Sequence, residues 1–418
     1  MLQFLKLFWR KHYKKIIPFL ALGLIVLAGH FIFGKSMDFG LSLNKEANSS
    51  ISNSAAETTA PSSSSDATSA GDEALKEKIG QMLIIGFRGT KFQENSFITK
   101  AMKNLKIGGV VLFDFDVPSG IFPRNIISPT QTKQLISDLQ KHSDTALFVA
   151  VDTEGGLVNR LKPKYGFIDI PSAQKMGQGT PEQTKQIAEM LGKELKELGF
   201  NFNFAPVVDL NVNPKNPVIG ALARSFSADP LKVIAHAESF IVGQKEYNII
   251  TSVKHFPGHG SSQTDSHKGI TDITNTYQAQ ELLPFGELIK KGVAQTVMVG
   301  HLINKNIDQE FPATLSANFI QKTLKETLGF EGVVVCDDLS MAAISQNYGT
   351  KEAAVKMIQA GCDLIIISNN VQTYNENIPY QARDAILEAI KKGEISEISV
   401  NESFNKIIKL KKDFGIIQ

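Results

Sequence analysis

Short apolar runs alternate with amphipathic segments along most of the chain. Eight runs rich in β-branched and other apolar residues have the length and composition of strands, at 79–87, 107–113, 146–152, 200–210, 249–256, 296–302, 332–339 and 363–368. Between them, apolar residues recur at three- and four-residue spacing, which predicts helices over 181–198, 231–247, 279–291, 316–328 and 351–360. Strands that alternate with helices indicate a parallel sheet. Eight such units predict an α/β fold, a (β/α)8 TIM-type barrel over residues 72–418.

The N-terminal part of the chain has the pattern of a membrane segment. An apolar run over 16–33 follows five basic residues, Lys6, Arg10, Lys11, Lys14 and Lys15. The run is long enough for a helix at the lower end of bilayer-spanning lengths, and no small-residue cleavage site follows it directly. We therefore expect an uncleaved anchor in residues 1–35, with a removed signal peptide as the alternative. The basic flank predicts a cytoplasmic N-terminus and a barrel outside the cytoplasm.

A linker is predicted over residues 36–71. Its stretch 47–71 is rich in Ser and Thr and has too few large apolar side chains to offset the entropy lost on ordering. We expect a disordered linker that holds the barrel away from a bilayer. The predicted localisation is the cell membrane, as a single-pass protein, or the exterior after signal cleavage.

Charge and composition exclude some classes of protein. The 418 residues include 44 Lys and Arg against 42 Asp and Glu, a formal charge of +2, so the chain has no basic field to attract nucleic acid. Hydrophobic residues make up 42%, which is enough for a large core. We expect no nucleic-acid partner and a monomer.

The two cysteines cannot supply a disulfide scaffold or a four-thiolate zinc site. Cys336 lies late in the predicted seventh strand, and Cys362 lies directly before the eighth. If these strands are parallel neighbours, the two thiols lie near opposite ends, beyond the reach of a disulfide. We therefore predict two buried, unpaired cysteines that act as small apolar residues.

Ionisable side chains follow the ends of five predicted strands, whereas the strand starts at 79, 107, 146, 200, 249 and 332 carry none. These end positions are Asp152, Asp209, Lys254 with His255, His301, and Asp337 with Asp338. In a (β/α)8 barrel the active groups collect at the carboxyl ends of the strands. The pattern predicts an active site at this rim of the barrel.

The densest group of histidines lies in the segment KHFPGHG at 254–260, followed by DSH at 265–267. Pro257 and Gly258 break any helix between His255 and His259, so these two rings cannot form a one-faced helical zinc pair. A metal site built from several strand ends remains an alternative. Asp265 lies two residues before His267 and can accept its ring N–H, which makes that imidazole a candidate proton-transfer group.

Two adjacent carboxylates and two arginine guanidinium groups complete the candidate site. Asp337 and Asp338 follow the apolar strand VVVC, where like charges raise at least one pKa unless cations or hydrogen-bond donors compensate. Asp152, in DTEGG, can accept hydrogen bonds from two hydroxyls. Arg160 and Arg224 offer forked donors to hydroxyl or carbonyl oxygens.

Four segments occur in an order that resembles the bacterial β-N-acetylhexosaminidases of glycoside hydrolase family 3. They are VDTEGG…NRL, IGALARSF, KHFPGHG…TDSH and VVVCDDLSM, and the resemblance extends over about residues 75–418. We expect the single-domain N-acetylglucosaminidase branch, because the second α/β domain of many relatives has no counterpart here.

The resemblance implies a role for each matching residue. Asp337 is implied as the nucleophile and His267, paired with Asp265, as the acid/base; the sugar-binding residues are implied to be Asp152, Arg160, Arg224, Lys254 and His255. The implied reaction is retaining exo-hydrolysis of terminal β-linked N-acetylglucosamine, from peptidoglycan fragments or related glycans, through a covalent glycosyl-Asp intermediate. No cofactor or metal is implied. Spacing alone does not distinguish Asp337 from Asp338.

Two positions depart from the family pattern, and other functions remain open. Leu157 stands where an Arg is frequent, which puts the finer substrate preference in question, and Cys336 stands where Ser or Thr is usual. The alternatives are a β-glycoside phosphorylase or a β-glucosidase on the same barrel, a metal-dependent barrel hydrolase, and an inactive wall-binding protein. The expected partners are a carbohydrate substrate and, through the N-terminal segment, the membrane.

Overall fold

A computed structural model describes residues 64–371 and 373–418 of the chain. The predicted membrane segment and most of the predicted linker lie outside these residues. None of the helices in the described part combines the length and the hydropathy that a bilayer crossing requires. The domain boundaries drawn from the sequence stay a prediction.

Eight short parallel strands close into a barrel. The strands of the described residues are β1 (Leu83–Gly86), β2 (Gly109–Val111), β3 (Phe148–Val151), β4 (Thr153–Gly155), β5 (Val158–Asn159), β6 (Phe202–Asn203), β7 (Ile250–Phe256), β8 (Thr271–Asp272), β9 (Thr296–Val299), β10 (Leu302–Ile303), β11 (Val333–Cys336) and β12 (Leu364–Ile367). The barrel order is β1-β12-β11-β9-β7-β6-β3-β2, while β4 with β5 and β8 with β10 form small separate pairs. The predicted parallel barrel is confirmed.

Helices surround the barrel and connect its strands. They are α1 (Ser64–Gln81), α2 (Phe97–Leu105), α3 (Pro129–Lys141), α4 (Ala173–Met176), α5 (Pro181–Leu198), α6 (Pro230–Lys245), α7 (Leu283–Lys290), α8 (Ala342–Ser345), α9 (Thr350–Ala360), α10 (Ile378–Lys391) and α11 (Glu397–Asp413). A π-type helix covers Asn318–Thr327, and short 3-10 turns cover Pro163–Tyr165, Ala279–Leu282 and Ala313–Leu315. All five predicted helical segments are helical.

Local signals explain where the helices begin and end. In α5, the Thr180 hydroxyl accepts from the Gln183 N–H, the Gln183 side chain accepts from the Thr180 N–H, and Pro181 occupies the first turn. The helix ends at Gly199, whose φ of 95° is readily available only to glycine. Helix α1 begins at Ser64, so the last residues of the predicted linker are helical; its C-terminal half buries Leu75 and Ile79.

Two predicted strands are longer than the observed ones. The run 79–87 includes the last turn of α1, and only Phe202–Asn203 of the run 200–210 belongs to a strand. Most of the remaining residues of the second run are buried, and Val207 forms an isolated parallel bridge to Lys254. An apolar run therefore indicates burial, and hydrogen bonding to a neighbouring strand decides how much of it is sheet.

The prediction of two unpaired cysteines is wrong, because Cys336 and Cys362 form a disulfide with Cα atoms 5.8 Å apart. The expected separation assumed that strands seven and eight start level. In the observed register Leu364, the first residue of β12, pairs with Val335, one residue before the end of β11. This stagger brings the start of strand eight beside the end of strand seven. Both cysteines are buried, as expected.

Candidate active site

The rim formed by the strand ends brings together residues that are far apart in the sequence. Asp152 directly follows β3, Lys254 and His255 lie near the end of β7, and Asp337 directly follows β11. Arg224 comes from the long connection between β6 and α6 and contacts the β7 residues. All these strands are parallel, so their carboxyl ends face the same side of the barrel.

A buried ion network forms the centre of this rim. Glu154 accepts two hydrogen bonds of 2.7 Å from the Arg224 guanidinium, and its Oε1 lies 2.6 Å from Lys254 Nζ. Burial alone would raise the pKa of Glu154, but the two cations more than offset it and hold this pKa well below its usual range. The pKa of Lys254 is raised despite burial, because Asp152 and Glu154 stabilise its charge. Both cations are therefore fixed in place before any ligand arrives.

Asp152 and Arg160 form the partly exposed edge of the network. Lys254 Nζ donates to Asp152 Oδ1 at 2.9 Å, and Arg160 Nη2 lies 3.8 Å from Asp152 Oδ2. The Arg160 guanidinium carbon lies 5.5 Å from the centre of the Phe113 ring, within cation–π range. The Arg160 side chain is 32% exposed and that of Asp152 18%, so both can reach a ligand in the mouth of the barrel.

Asp209 fixes the orientation of the histidine segment. Its carboxylate accepts from the backbone N–H groups of His255 and His259 and lies 2.7 Å from His255 Nδ1. Arg224 Nη2, which can only donate, lies 3.2 Å from His255 Nε2, so the His255 ring proton faces Asp209. Burial lowers the pKa of His259 to about 4. The His259 ring is therefore a neutral hydrogen-bonding group, held by Ser262 and Ser266.

The two adjacent carboxylates after β11 have different environments. Asp338 is buried, and its oxygens accept from the N–H groups of Ser340 and Ser368 and from the Ser368 hydroxyl. Asp337 is half-buried and accepts only the Asp338 N–H at 2.8 Å among the described residues. Burial raises the pKa of Asp338. Burial would also raise the pKa of Asp337, but nearby histidines and the Asp338 N–H outweigh it and lower that pKa. Asp337 is thus the ionised carboxylate available to a ligand.

His301 is hydrogen-bonded to the backbone of this pair. Its Nδ1 is 2.8 Å from the Thr314 hydroxyl and its Nε2 donates to the Asp338 carbonyl oxygen at 2.9 Å. Both ring nitrogens are occupied and the side chain is buried. This histidine supports the Asp337–Asp338 segment.

The loop after β7 carries the remaining candidate residues. His267 Nδ1 lies 3.0 Å from Asp265 Oδ1, the contact expected from their spacing, and the hydrogen bond from His267 lowers the pKa of Asp265. The His267 side chain is 58% exposed. The base of the loop is firmly held, because Asn216 donates to the His259 and Gly260 carbonyls. Farther along the loop, residues 263, 264, 267, 268 and 270 are solvent-exposed.

The described residues contain no group of three or more His, Cys, Asp and Glu side chains arranged to hold a metal ion. The ring nitrogens of His255, His259 and His301 each face protein partners.

Two further residues of the site were not singled out from the sequence. Glu154 lies inside the DTEGG segment, but nothing in the spacing indicates that it pairs with two cations from distant loops. Glu281 is buried, and its carboxylate accepts from the N–H groups of Ser261 and Gln278. No sequence pattern distinguishes either glutamate from an ordinary exposed acidic residue, since Thr153 and Gly155 flank Glu154 and Gln280 and Leu282 flank Glu281.

Comparisons with known proteins find relatives over most of the chain. Residues 74–410 match the family profile described as glycosyl hydrolase family 3 N terminal domain. Beta-hexosaminidase LpqI of Mycobacterium tuberculosis is 31% identical over 345 residues, covering 80% of this chain and 82% of that protein. Beta-hexosaminidase A of Pseudoalteromonas piscicida is 30% identical over 368 residues, covering 80% of this chain but 60% of that protein, so the chain spans little more than half of this longer relative.

A solved structure is similar to the same region. It is the structure of a glycoside hydrolase family 3 beta-N-acetylglucosaminidase from Paenibacillus sp. strain FPU-7, with a TM-score of 0.75 and 34% identity. The match covers 82% of this chain and 63% of that one.

Replacing Glu154 with Gln is expected to destabilise the protein by about 3 kcal/mol or more, because it leaves Arg224 and Lys254 buried without their main anionic partner. Urea unfolding measures the change. Glu388→Gln is the matched control: Glu388 of α10 pairs with the exposed Lys392 just after the helix, and the loss of this pair should leave stability unchanged within error. If Glu154→Gln unfolds at the same urea concentration as the wild-type protein, the network is not a major source of stability.

Proposed function

The chain belongs to glycoside hydrolase family 3, and from this premise we propose that it is a retaining exo-β-N-acetylglucosaminidase. The proposed substrates are glycans with a terminal β-linked N-acetylglucosamine, and peptidoglycan fragments are the natural class we favour. Relatives named as hexosaminidases and a structural neighbour named as a beta-N-acetylglucosaminidase support the choice of sugar.

The observation that carries the proposal is the difference between the two adjacent carboxylates. Asp338 has three hydrogen-bond donors and is buried, whereas Asp337 is ionised, half-buried and directed to the rim that carries the cation network. A nucleophilic carboxylate must be charged and must have a free oxygen. Only Asp337 of this pair fits both conditions.

In the proposed first step, an Asp337 oxygen attacks the anomeric carbon, and the bond from that carbon to the leaving oxygen breaks. His267 gives its ring proton to the leaving oxygen, and Asp265 stabilises the imidazole through Nδ1. In the second step, water attacks the glycosyl-Asp337 ester while His267 takes back a proton. Two inversions give net retention of configuration.

The remaining rim residues suit a sugar held by its hydroxyls. Asp152 accepts hydrogen bonds, and Lys254 and Arg160 donate them. Arg224 and His255 are fully engaged with Glu154 and Asp209, which keeps them in position with little entropy left to lose on binding. The exposed position of His267 supports closure of its loop over a bound glycan before cleavage.

We place the barrel outside the cytoplasm, tethered to the membrane through residues 1–35. The support is the basic and apolar N-terminal pattern together with the Cys336–Cys362 disulfide, because structural disulfides persist in oxidising compartments. The redox state of these cysteines in living cells tests the placement, since a barrel in a reducing cytosol would hold them as thiols.

Release of nitrophenol from the β-N-acetylglucosaminide and from the β-glucoside tests the activity of the full-length protein. We expect the N-acetylated substrate to be cleaved at least about tenfold faster than the β-glucoside, without phosphate and in the presence of a chelator. When methanol takes the place of water as the acceptor, we expect the product to be the β-methyl glycoside. A requirement for phosphate would identify a phosphorylase. Loss of activity with chelator would identify a metal-dependent hydrolase, and an α-methyl product would exclude retention.

Asp337→Asn is expected to lower kcat by about a thousandfold or more, because it removes the nucleophile. The free energy of unfolding should stay within about 1 kcal/mol of the wild-type value, because no buried group loses its partner. Asp338→Asn is the matched neighbour and should instead lower stability by roughly 1–3 kcal/mol, because it disturbs three buried hydrogen bonds. Rate and urea unfolding are measured for both. Normal turnover in Asp337→Asn would exclude Asp337 as the nucleophile.

His267→Ala is expected to slow hydrolysis of a sugar–sugar bond by about a hundredfold or more and that of a dinitrophenyl glycoside by less than about tenfold, because only the poor leaving group needs a proton. Steady-state rates on both substrates measure the ratio. Lys268→Ala, at the exposed neighbouring position, should leave the ratio unchanged. Equal losses on both substrates in His267→Ala would indicate a positioning role.

A further inference from the structure

The segment that carries Asp337 is attached on its C-terminal side to the end of the eighth strand. Asp338 accepts from the Ser368 N–H at 2.9 Å and from the Ser368 hydroxyl, and the Leu339 N–H donates to the Ile366 carbonyl oxygen at 2.9 Å. Hydrogen bonds therefore fix the residues that follow Asp337.

On the N-terminal side, the attachment to the same strand is covalent. Cys336 immediately precedes Asp337, and its disulfide partner Cys362 lies two residues before β12. Asp337 directly follows Cys336, so a restraint on the Cys336 side chain restricts rotation of the backbone that positions Asp337.

The disulfide also contacts the polar cluster behind Asp337. Both sulfur atoms lie 3.7 Å from the Thr314 carbonyl oxygen, and the hydroxyl of the same Thr314 is 2.8 Å from His301 Nδ1. His301 Nε2 donates to the Asp338 carbonyl oxygen, and the Asp338 N–H donates to the Asp337 carboxylate. All five supporting residues, the two cysteines, Thr314, His301 and Asp338, are buried. A continuous chain of contacts thus runs from the disulfide to the carboxylate.

Asp337 has few other restraints. Besides the Asp338 N–H on its carboxylate, the structure gives it one backbone hydrogen bond, from its own N–H to the Val299 carbonyl oxygen, within the described residues. Its direction depends on the two flanking residues. Attack on an anomeric carbon requires tight alignment, and a displacement of about 1 Å can cost about a hundredfold in rate.

We propose that the Cys336–Cys362 disulfide is a positioning element for Asp337, so that full turnover requires the oxidised bond. The proposal rests on the proposed role of Asp337 as nucleophile. When the bond forms, two thiols lose two protons and two electrons; a disulfide of a second molecule accepts them by thiol–disulfide exchange and leaves as two thiols. The protein would then reach full activity only after export to an oxidising compartment.

The test compares the full-length protein in both redox states. Protein made and kept in dithiothreitol is oxidised with glutathione disulfide, and nitrophenyl N-acetylglucosaminide turnover is followed together with the number of free thiols. We expect kcat to rise about tenfold or more as two thiols disappear, with KM changed less than about threefold. An unchanged kcat while the thiols disappear would overturn the proposal, as would two free thiols in fully active protein isolated from cells.

A pair of variants separates positioning from general stability. The double variant Cys336→Ser with Cys362→Ser should keep the low kcat under oxidising and reducing conditions alike. Ala382→Gly, in a buried position of α10 far from the rim in sequence, lowers stability through helix propensity and lost packing, but should keep the wild-type kcat and its redox response. If both variants lose kcat in proportion to their loss of Tm, the disulfide acts through stability alone and the proposal fails.

The outcomes also separate this proposal from the proposed function. If the oxidised wild-type protein does not cleave the glycoside, the proposed function fails, and the positioning role fails with it. If the oxidised protein cleaves the glycoside and the double cysteine variant has the same kcat, only the positioning role is wrong.

Discussion

The candidate site depends on one buried carboxylate that neutralises two buried cations. Glu154 lies between Arg224 and Lys254, and without it the barrel mouth would contain two desolvated positive charges, one from a connection and one from strand β7. With it, the connection after β3, the connection after β6 and strand β7 are held together at their ends. The same pairing leaves the Lys254 ammonium close to Asp152, so that the exposed edge of the network already has the alternating donors and acceptors that a sugar's hydroxyls require.

A second balance governs the carboxylates after β11. Two adjacent acidic residues at a buried strand end would repel each other if both were ionised and unpartnered. The two residues have different surroundings in the structure. The Asp338 carboxylate accepts hydrogen bonds from the turn and from Ser368, and the Asp338 backbone N–H stabilises the charge of Asp337. In the proposed mechanism, Asp338 thus stabilises the charge with which Asp337 attacks. The disulfide on the other side of Asp337 fits the same principle, because a rigid strand end keeps the carboxylate in one direction.

The proposed acid/base group is held differently. The base of its loop is fixed by Asn216 and by the buried Glu281, while His267 at the tip is exposed to solvent. A nucleophile must be rigid to attack one atom, whereas a proton donor on a movable tip can let the leaving group enter and depart. In the proposed mechanism, this division between a buried strand end and an exposed loop tip is a physical reason for using a His–Asp pair in place of a second strand-borne carboxylic acid.

The sequence by itself determined the architecture and the set of candidate residues. Periodicity predicted the eight barrel strands, because burial on both faces leaves uniformly apolar runs, and parallel topology then placed Asp152, Lys254, His255 and Asp337 at one rim. Tertiary structure alone decided what depends on distances between segments. The stagger of β12 against β11 paired Cys336 with Cys362, and the packing of segments far apart in the sequence placed Glu154 between two cations. Side-chain periodicity carries no information about register between strands or about which distant charges share a buried space, so neither could be read from the sequence.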